Sequence, residues 1–295
     1  MVTQPLSCLY SALVTPMRAD ESICYDALAE LVERQLRQGV EGFYCCGSSG
    51  EGLLLSLEER KAFLDFVLRQ VNGRVPVIAH IGTVRTRDVA ELAKHAEAAG
   101  ASAVSMIPPY YYNFTMEEIC AYYEAVIDAV PGLGVILYNV PQFSGIEFGK
   151  QNAARLLENP GVLGIKHTSN NLYSMERMHT AYPDKLLFNG FDEQYLGALA
   201  MGCSATIGTT VNLYAPLFRQ VRACYQAGRM EEAFAWQKLI NARVELMCSC
   251  GIFSAVKYIW TKRGVDCGAC RQPFAPLSDH AKALLDTIVD IPTHP

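Results

Sequence analysis

Short, uniformly apolar runs alternate with amphipathic segments along most of this chain, and this alternation limits the possible folds more than any other feature. The apolar runs are LYSALVTP, GFYCC, VPVIAH, SAVSMI, GVILYN, VLGIK, KLLFN and SATIG. Strands that are apolar on both faces are typical of a parallel sheet covered by helices on both sides. Eight strand–helix units before about residue 228 favour an α/β fold, a (β/α)8 TIM barrel, over an open doubly wound sheet.

The segments between the strands carry signals for helix ends. Gly39 ends the first predicted helix, and Ser56 with Glu59 predicts a capping box at the start of the second. In the fifth unit, the segment FGKQNAARLLEN predicts a helix around 148–159. The chain after the eighth unit predicts further helices. We therefore expect a barrel over 1–228 and a C-terminal helical extension over 229–295 that packs on it.

The composition excludes several classes of protein. Hydrophobic residues make up 51% of the chain and charged residues 19%, which supports a large core and argues against disorder. A net charge of −5 argues against nucleic acid or an anionic membrane surface as a partner. The N-terminal sequence MVTQPLSCLYSALVTP lacks the features of a secretory signal, and no apolar run is long enough to span a bilayer. We expect a soluble, cytoplasmic protein.

The chain has 11 cysteines, an odd number scattered through apolar segments. Without a secretion signal, this pattern favours reduced, buried thiols that pack as small hydrophobic residues. Cys248 and Cys250, followed by Cys267 and Cys270, raise the question of a metal site. Their spacing is not the usual one for zinc, so packing is the favoured interpretation and metal binding is the open alternative. We predict no metal at the active site, since the chain has no H-E-x-x-H motif.

Two polar residues end neighbouring strands, at the edge where TIM-barrel active sites lie. Lys166 ends the sixth strand in GVLGIKHTS. Burial there disfavours the ammonium form and leaves an amine able to attack a ketone. The alternatives are a lysine held by a carboxylate or one whose ammonium reaches solvent. Tyr138 ends the fifth strand in LYNVP, where it is either a proton relay for Lys166 or a packed aromatic residue.

The glycine-rich turn GSSGE, after the second strand, holds Ser48 and Ser49. It is not a phosphate loop, because no lysine follows the glycines at the required spacing. It is not a nucleophile elbow, because the G-x-S-x-G register and a histidine–acid pair are missing. What remains is a turn whose N–H and O–H donors are exposed to bind an anion.

Five segments, GSSGE, YNVP, GIKHTS, NGFDE and IGTT, resemble in order and spacing the pyruvate-dependent class I aldolases of the N-acetylneuraminate lyase and dihydrodipicolinate synthase superfamily. The resemblance covers nearly the whole chain, including the late segment CRQPF. Members of this superfamily are (β/α)8 barrels with a helical C-terminal extension and are commonly tetrameric. The resemblance implies that Lys166 forms a Schiff base with pyruvate or the keto-acid substrate, without another cofactor. It also implies that Tyr138 shuttles the proton.

The resemblance implies a substrate site as well. Ser48 and Ser49, with the amides of their turn, look like the site for the substrate carboxylate. Tyr111 looks like the tyrosine that enters a neighbouring subunit's site, which implies a homotetramer. The other implied substrate contacts are Thr168, Gly190, Asp192, Glu193 and Thr209.

Two features are similar to the lyases rather than to the synthases. Phe143 stands where the synthases carry an arginine for a second substrate carboxylate. NGFDEQ looks like the lyase pattern, in which Asp192 and Glu193 bind the polyol tail of a sialic acid. The resemblance therefore implies reversible cleavage of N-acetylneuraminate to N-acetylmannosamine and pyruvate. From the residues alone, capping of the following helix is the alternative role for the two carboxylates.

The chain departs from the lyase pattern at three positions. Ser49 replaces the usual threonine, Phe191 a common tyrosine and Thr209 a common serine. The hydroxyls at 49 and 209 survive, whereas the phenol at 191 is lost. The alternatives to the lyase activity are an aldolase or dehydratase of 2-keto-3-deoxy sugar acids, a dihydrodipicolinate synthase, and a non-catalytic sugar-acid-binding protein.

Overall fold

The computed structural model describes residues 6–294. Its strands form a closed parallel barrel, in which each strand pairs with its neighbours in sequence and the last pairs with the first. The strands are β1 (Leu9–Ala12), β2 (Gly42–Cys45), β3 (Val77–His80), β4 (Ala103–Met106), β5 (Val135–Asn139), β6 (Val162–His167), β7 (Leu186–Asn189) and β8 (Ala205–Gly208). The predicted TIM barrel is confirmed, and each strand begins within one of the apolar runs.

Helices follow the strands and cover the outside of the barrel. They are α1 (Tyr25–Arg37), α2 (Leu57–Val71), α3 (Thr86–Ala99), α4 (Met116–Ala129), α5 (Pro141–Ser144), α6 (Ala154–Leu157), α7 (Leu172–Ala181), α8 (Tyr195–Ala200), α9 (Val211–Gln226), α10 (Met230–Cys250), α11 (Ile252–Lys262) and α12 (Asp279–Asp286). The predicted capping box of Ser56 and Glu59 is present at the start of α2.

The predicted helix around 148–159 is wrong in extent, because only Ala154–Leu157 is helical. Asn152 takes one backbone group that a longer helix would use, because a first turn beginning at residue 148 would need the Glu147 carbonyl. Asn139 Oδ1 accepts the Phe148 N–H at 2.9 Å, and Asn152 bonds both the Gly149 N–H (2.7 Å) and the Glu147 carbonyl (2.9 Å). Asparagine side chains compete with helix formation in this way.

Side chains fill the barrel interior, so the barrel is not a pore. The inward-facing cluster includes three large aromatic residues, Tyr10, Tyr44 and Phe188, each at most 1% exposed. A second and larger cluster fills the layer between the strands and the helices. With the interior packed, a substrate site can form only at an end of the barrel.

The extension lies against the barrel through buried polar contacts as well as apolar ones. Gln237 of α10 accepts the Leu196 N–H at 2.9 Å and donates to the Asp192 carbonyl at 3.1 Å. Helices α10 and α11 meet at Gly251, whose φ is 91°. Among residues 6–294, no single helix is long and apolar enough to cross a membrane. Helices α10 and α11 pass that test only as a pair, which is bent by 108°.

The cysteines are free thiols, and most of them are buried. Burial raises the pKa of Cys46 to about 11 and that of Cys267 to about 12. Of the other cysteines near the C-terminus, Cys270 is buried, Cys250 is half-buried and Cys248 is exposed. Within the described part of the chain, no group of three or more His, Cys, Asp or Glu residues could hold a metal ion. The predicted absence of a secretory signal concerns a segment that includes residues 1–5, and these residues lie outside the described part of the chain.

Candidate active site

The pairing of β5 and β6 places Tyr138 directly beside Lys166. Both side chains point into the barrel mouth, where they are 4% and 5% exposed. Lys166 Nζ lies 4.0 Å from the centroid of the Tyr138 ring and 4.5 Å from that of Tyr44. The amine therefore sits between two aromatic rings at the carboxyl end of the barrel, where a carbonyl compound entering the mouth can reach it.

No described residue holds Lys166 by an ion pair or a hydrogen bond, so the carboxylate-held alternative does not apply to it. That alternative describes Lys257, whose Nζ lies 2.5 Å from the Glu51 carboxylate with both side chains almost fully buried. A buried amine without a counterion is suited to nucleophilic attack, because no partner must be displaced first. The hydroxyl of Tyr138 likewise forms no hydrogen bond within 6–294.

Asn139 and His167, the residues that follow Tyr138 and Lys166, join the ends of β5 and β6 by a side-chain hydrogen bond. Asn139 Oδ1 already accepts the Phe148 N–H, so its Nδ2 donates to His167 Nδ1 at 2.9 Å. The Nε2–H of His167 then donates to the Asn171 carbonyl at 3.1 Å. Burial lowers the pKa of His167, which keeps the imidazole neutral and able to accept this bond.

The turn GSSGE bridges two strand ends across the barrel mouth. Ser49 Oγ lies 2.7 Å from Thr209 Oγ1, and Thr15 Oγ1 donates to the Gly50 carbonyl at 2.7 Å. Ser49 is buried, while Ser48 is half-buried at the cavity wall. The turn therefore presents hydroxyl groups to the cavity that Lys166 also lines, from a backbone that is itself hydrogen-bonded.

Asp192 does not cap a helix, so the capping alternative is wrong for it. Its Oδ2 accepts two hydrogen bonds from Thr210, from the N–H and from Oγ1, both at 2.7 Å. Its Oδ1 is buried without a partner among the described residues. Burial raises the pKa of Asp192 to about 6, with Glu193 adding to the rise and the Thr210 bonds opposing it. Glu193 is half-buried, and burial raises its pKa too.

Two glycines leave room for polar atoms in this wall. A Cβ atom at Gly190 would lie 1.8 Å from Thr168 Oγ1, and one at Gly208 would lie 1.8 Å from Asp192 Oδ1. Thr168 Oγ1, like Asp192 Oδ1, has no hydrogen-bond partner within residues 6–294. Thr168 and Asp192, which both line the cavity, therefore each carry a buried oxygen without a protein partner, an arrangement that is rare in folded proteins.

A cavity of about 200 Å³ joins these groups. Nine of the ten predicted site residues line it: Ser48, Ser49, Tyr138, Lys166, Thr168, Gly190, Asp192, Glu193 and Thr209. Tyr111 does not. It is 88% exposed, with φ 79°, on the loop after β4.

Sequence reasoning missed part of the cavity wall. Tyr44 lines it from within β2, and Gln142 lines it from α5. The extension adds a largely apolar wall made of Val244, Cys248, Ile252 and Phe253. Strand alternation could have identified Tyr44, since it places the residue inside the barrel. The sequence carries no signal for the extension residues, because the bend at Gly251 brings them over the barrel mouth.

The model of the dihydrodipicolinate synthetase family matches residues 5–291. The chain belongs to this family. An N-acetylneuraminate lyase of Rhizobium meliloti is 41% identical to it over 278 residues, which cover 94% of this chain and 92% of the relative.

Two solved structures closely match the fold. CdNal of Clostridium difficile, in complex with mannosamine, matches with a TM-score of 0.94 at 30% identity, covering 97% of this chain and 99% of the other. A sialic acid aldolase of Ruminococcus gnavus with a mutated catalytic lysine matches with a TM-score of 0.92 at 29% identity, covering 96% and 94%. The family and the lyase resemblance predicted from the sequence are confirmed.

Proposed function

We propose that this protein is a class I lyase that reversibly cleaves N-acetylneuraminate to N-acetylmannosamine and pyruvate. The observation that carries the proposal is a buried amine, Lys166, without a counterion and beside Tyr138, in a cavity that Asp192 and Glu193 also line. Relatives named N-acetylneuraminate lyase, matched over nearly their whole length, support the choice of substrate.

The reaction follows from the chemistry of an amine beside a phenol. Lys166 Nζ attacks the C2 ketone of the open-chain sugar acid, and the carbinolamine loses water to give an iminium. Tyr138 accepts the proton of the C4 hydroxyl, through the substrate carboxylate, as the C3–C4 bond breaks. The electron pair of that bond moves into the iminium and forms an enamine. Protonation at C3 and hydrolysis release pyruvate. The iminium is the electron sink, so the reaction needs no further cofactor.

In this proposal, two sets of binding groups that line the cavity orient the substrate. The hydroxyls and amides of the Ser48–Ser49 turn hold the carboxylate next to the ketone, with Thr209 supporting Ser49. The side chains of Thr168 and Asp192, each with an oxygen that lacks a protein partner, bind the hydroxyl groups of the polyol. The carboxylate of Asp192 accepts hydrogen bonds from them, and the hydroxyl of Thr168 donates or accepts. Gly190 leaves room for the Thr168 hydroxyl. Glu193 lines the same cavity and offers a second carboxylate to the polyol.

The proposal includes a homotetramer acting in the cytoplasm. Tyr111 lies outside the cavity of its own subunit, with its ring exposed and its backbone in a left-handed conformation. A bulky residue rarely adopts this conformation unless contacts hold it. Insertion into a neighbouring subunit's site would supply those contacts.

Borohydride trapping tests the reaction directly. Reduction in the presence of pyruvate is expected to place a stable adduct on Lys166, located by mass mapping of peptides, and Lys166→Ala is expected to remove it. Tyr138→Phe should still trap pyruvate while kcat falls by about 10²–10⁴-fold. If no adduct forms on Lys166 in the wild type, the mechanism is wrong.

Product analysis on a panel of keto acids tests the substrate. We expect turnover of N-acetylneuraminate to exceed that of 2-keto-3-deoxygluconate. The opposite order would assign the protein to the alternative aldolases or dehydratases of 2-keto-3-deoxy sugar acids. Turnover of neither, with binding retained, would indicate a sugar-acid-binding protein.

A further inference from the structure

Glu51, the last residue of the GSSGE turn, has a buried carboxylate that the reaction does not use. Its side chain is shielded from solvent, and Oε1 lies 2.5 Å from Lys257 Nζ. Its Oε2 accepts the Arg271 N–H at 2.6 Å. Lys257 also donates to the Ala269 carbonyl at 2.9 Å. One carboxylate therefore joins the turn to two separate parts of the extension.

The turn needs such support because its backbone is strained at both ends. Cys46 and Glu51 adopt φ values of 58° and 55°, in the left-handed region that side chains disfavour. At Gly52 the chain passes so close to Cys46 that a Cβ atom would lie 1.8 Å from the Cys46 carbonyl oxygen. Strained conformations persist where surrounding contacts over-determine them, and such sites often serve function.

Local backbone hydrogen bonds hold the main chain of Glu51, whereas its carboxylate is held by contacts to the extension. Its partners, Lys257 and Arg271, lie more than 200 residues further along the chain. Arg271 also donates from its guanidinium to the Leu54 carbonyl (2.7 Å) and to both carboxylate oxygens of Glu59 (2.9 and 2.7 Å). The extension thus binds the chain just after Ser48 and Ser49 through hydrogen bonds and ion pairs.

We propose that the buried Glu51–Lys257 ion pair positions the Ser48–Ser49 turn for the carboxylate of the keto acid, so that the extension is part of the substrate site. Glu51 and Lys257 are positioning residues, since neither lines the cavity. The inference rests on the proposed function, because it concerns the turn that binds the carboxylate there. Loss of the pair would release Glu51 from its strained backbone and let the serine hydroxyls and amides move away from Lys166.

Lys257→Met tests the proposal, because methionine keeps most of the side-chain length without the charge. Borohydride trapping is measured at a series of pyruvate concentrations. We expect the concentration for half-maximal trapping to rise about tenfold or more, since small displacements at a site are costly, while saturating pyruvate still labels Lys166. Lys262→Met is the matched control: the same substitution in the same helix removes a half-exposed pair with Asp286 and should leave half-saturation unchanged.

A second variant separates positioning from folding. Glu51→Gln combined with Lys257→Met leaves no unpaired buried charge, so its Tm should recover relative to Lys257→Met while half-saturation by pyruvate stays raised. A folded single or double variant with wild-type half-saturation overturns the proposal. Absence of trapping in the wild type would instead refute the proposed function.

If neither variant folds, hydrogen exchange on the wild-type protein tests whether the extension positions the Ser48–Ser49 turn. The amides of 50–54 and of 269–271 should then be protected to the same degree, and pyruvate should increase the protection of 50–54. Rapid exchange of 50–54 beside a protected 269–271 would show that the extension does not hold the turn, and the proposal would be wrong.

Discussion

At the scale of single residues, the site depends on polar groups that are buried without full hydrogen bonding. Asp192 is the clearest case, because Thr210 satisfies one carboxylate oxygen and the other is buried without a partner among the described residues. Unpaired buried polar atoms are costly for folding. At Asp192 and Thr168, which both line the cavity of Lys166, we attribute this cost to the binding of a polar ligand.

Asp192 predicts a pH dependence of substrate binding. Its pKa is raised to about 6 by burial, so the carboxylate gains a proton as the pH falls through this value. We expect the KM for N-acetylneuraminate to rise below about pH 6, because a protonated Asp192 accepts fewer hydrogen bonds from the polyol. Steady-state kinetics from pH 5 to 8 would check this. In Asp192→Asn the inflection in the plot of KM against pH should vanish. An unchanged inflection in this variant would mean that another group causes it.

The raised pKa of Asp192 also predicts how the free energy of unfolding changes with pH. The folded pKa lies above the ordinary value of 3.8, so the folded state binds the proton more tightly than the unfolded state does. The contribution to stability is therefore complete below about pH 4, is lost as the pH rises to about 6, and amounts to about 3 kcal/mol. Denaturant unfolding of the wild type and of Asp192→Asn should diverge across this range. Parallel pH profiles would contradict the assignment.

At the scale of elements, β5 and β6 form the unit that carries the chemistry. Their register sets Tyr138 beside Lys166, and the next residue pair, Asn139 with His167, joins the two strands on the outer face of the barrel. Asn139 also accepts the Phe148 N–H, in the connection that follows α5. One side chain therefore holds both the end of β6 and the backbone of the fifth connection.

Asn139→Ala is expected to lower both stability and activity. The substitution leaves His167 Nδ1 and the Phe148 N–H buried without partners, at a cost of about 3 kcal/mol in the free energy of unfolding. It should also lower kcat, since the ends of β5 and β6 lose their link. Asn152→Ala is the control, because Asn152 also makes two backbone hydrogen bonds in this connection but is exposed. Equal effects of the two substitutions on kcat would contradict the prediction.

At the scale of the whole molecule, barrel and extension share one core and one site. Trp236 and Trp260 of the extension are 8% and 0% exposed, within the cluster that surrounds the barrel. Gln237 bonds the backbone at Asp192, and Lys257 holds Glu51. The division into 1–228 and 229–295 stays a prediction about chain segments, and these contacts argue that neither segment folds alone.

Truncation after Gly228 tests this interdependence. The shortened chain would expose the surface that Trp236, Ile240 and Met247 cover and would leave Glu51 without Lys257, so we expect aggregation and loss of cooperative thermal unfolding. Circular dichroism and size-exclusion chromatography against the full chain are the measurements. A truncated protein that unfolds cooperatively would show that the barrel is an independent domain.

The sequence by itself determined the eight strand–helix units and the polar residues at the strand ends. These follow from local periodicity and residue type, which need no knowledge of distant contacts. Only the tertiary structure decided what those residues contact. The pairing of Glu51 with Lys257, the bonds from Thr210 to Asp192 and the cavity wall from α10 and α11 all join segments far apart in the chain. The path of the fifth connection was decided in the same way, since Asn139 from the preceding strand accepts the Phe148 N–H, a contact that no local pattern predicts.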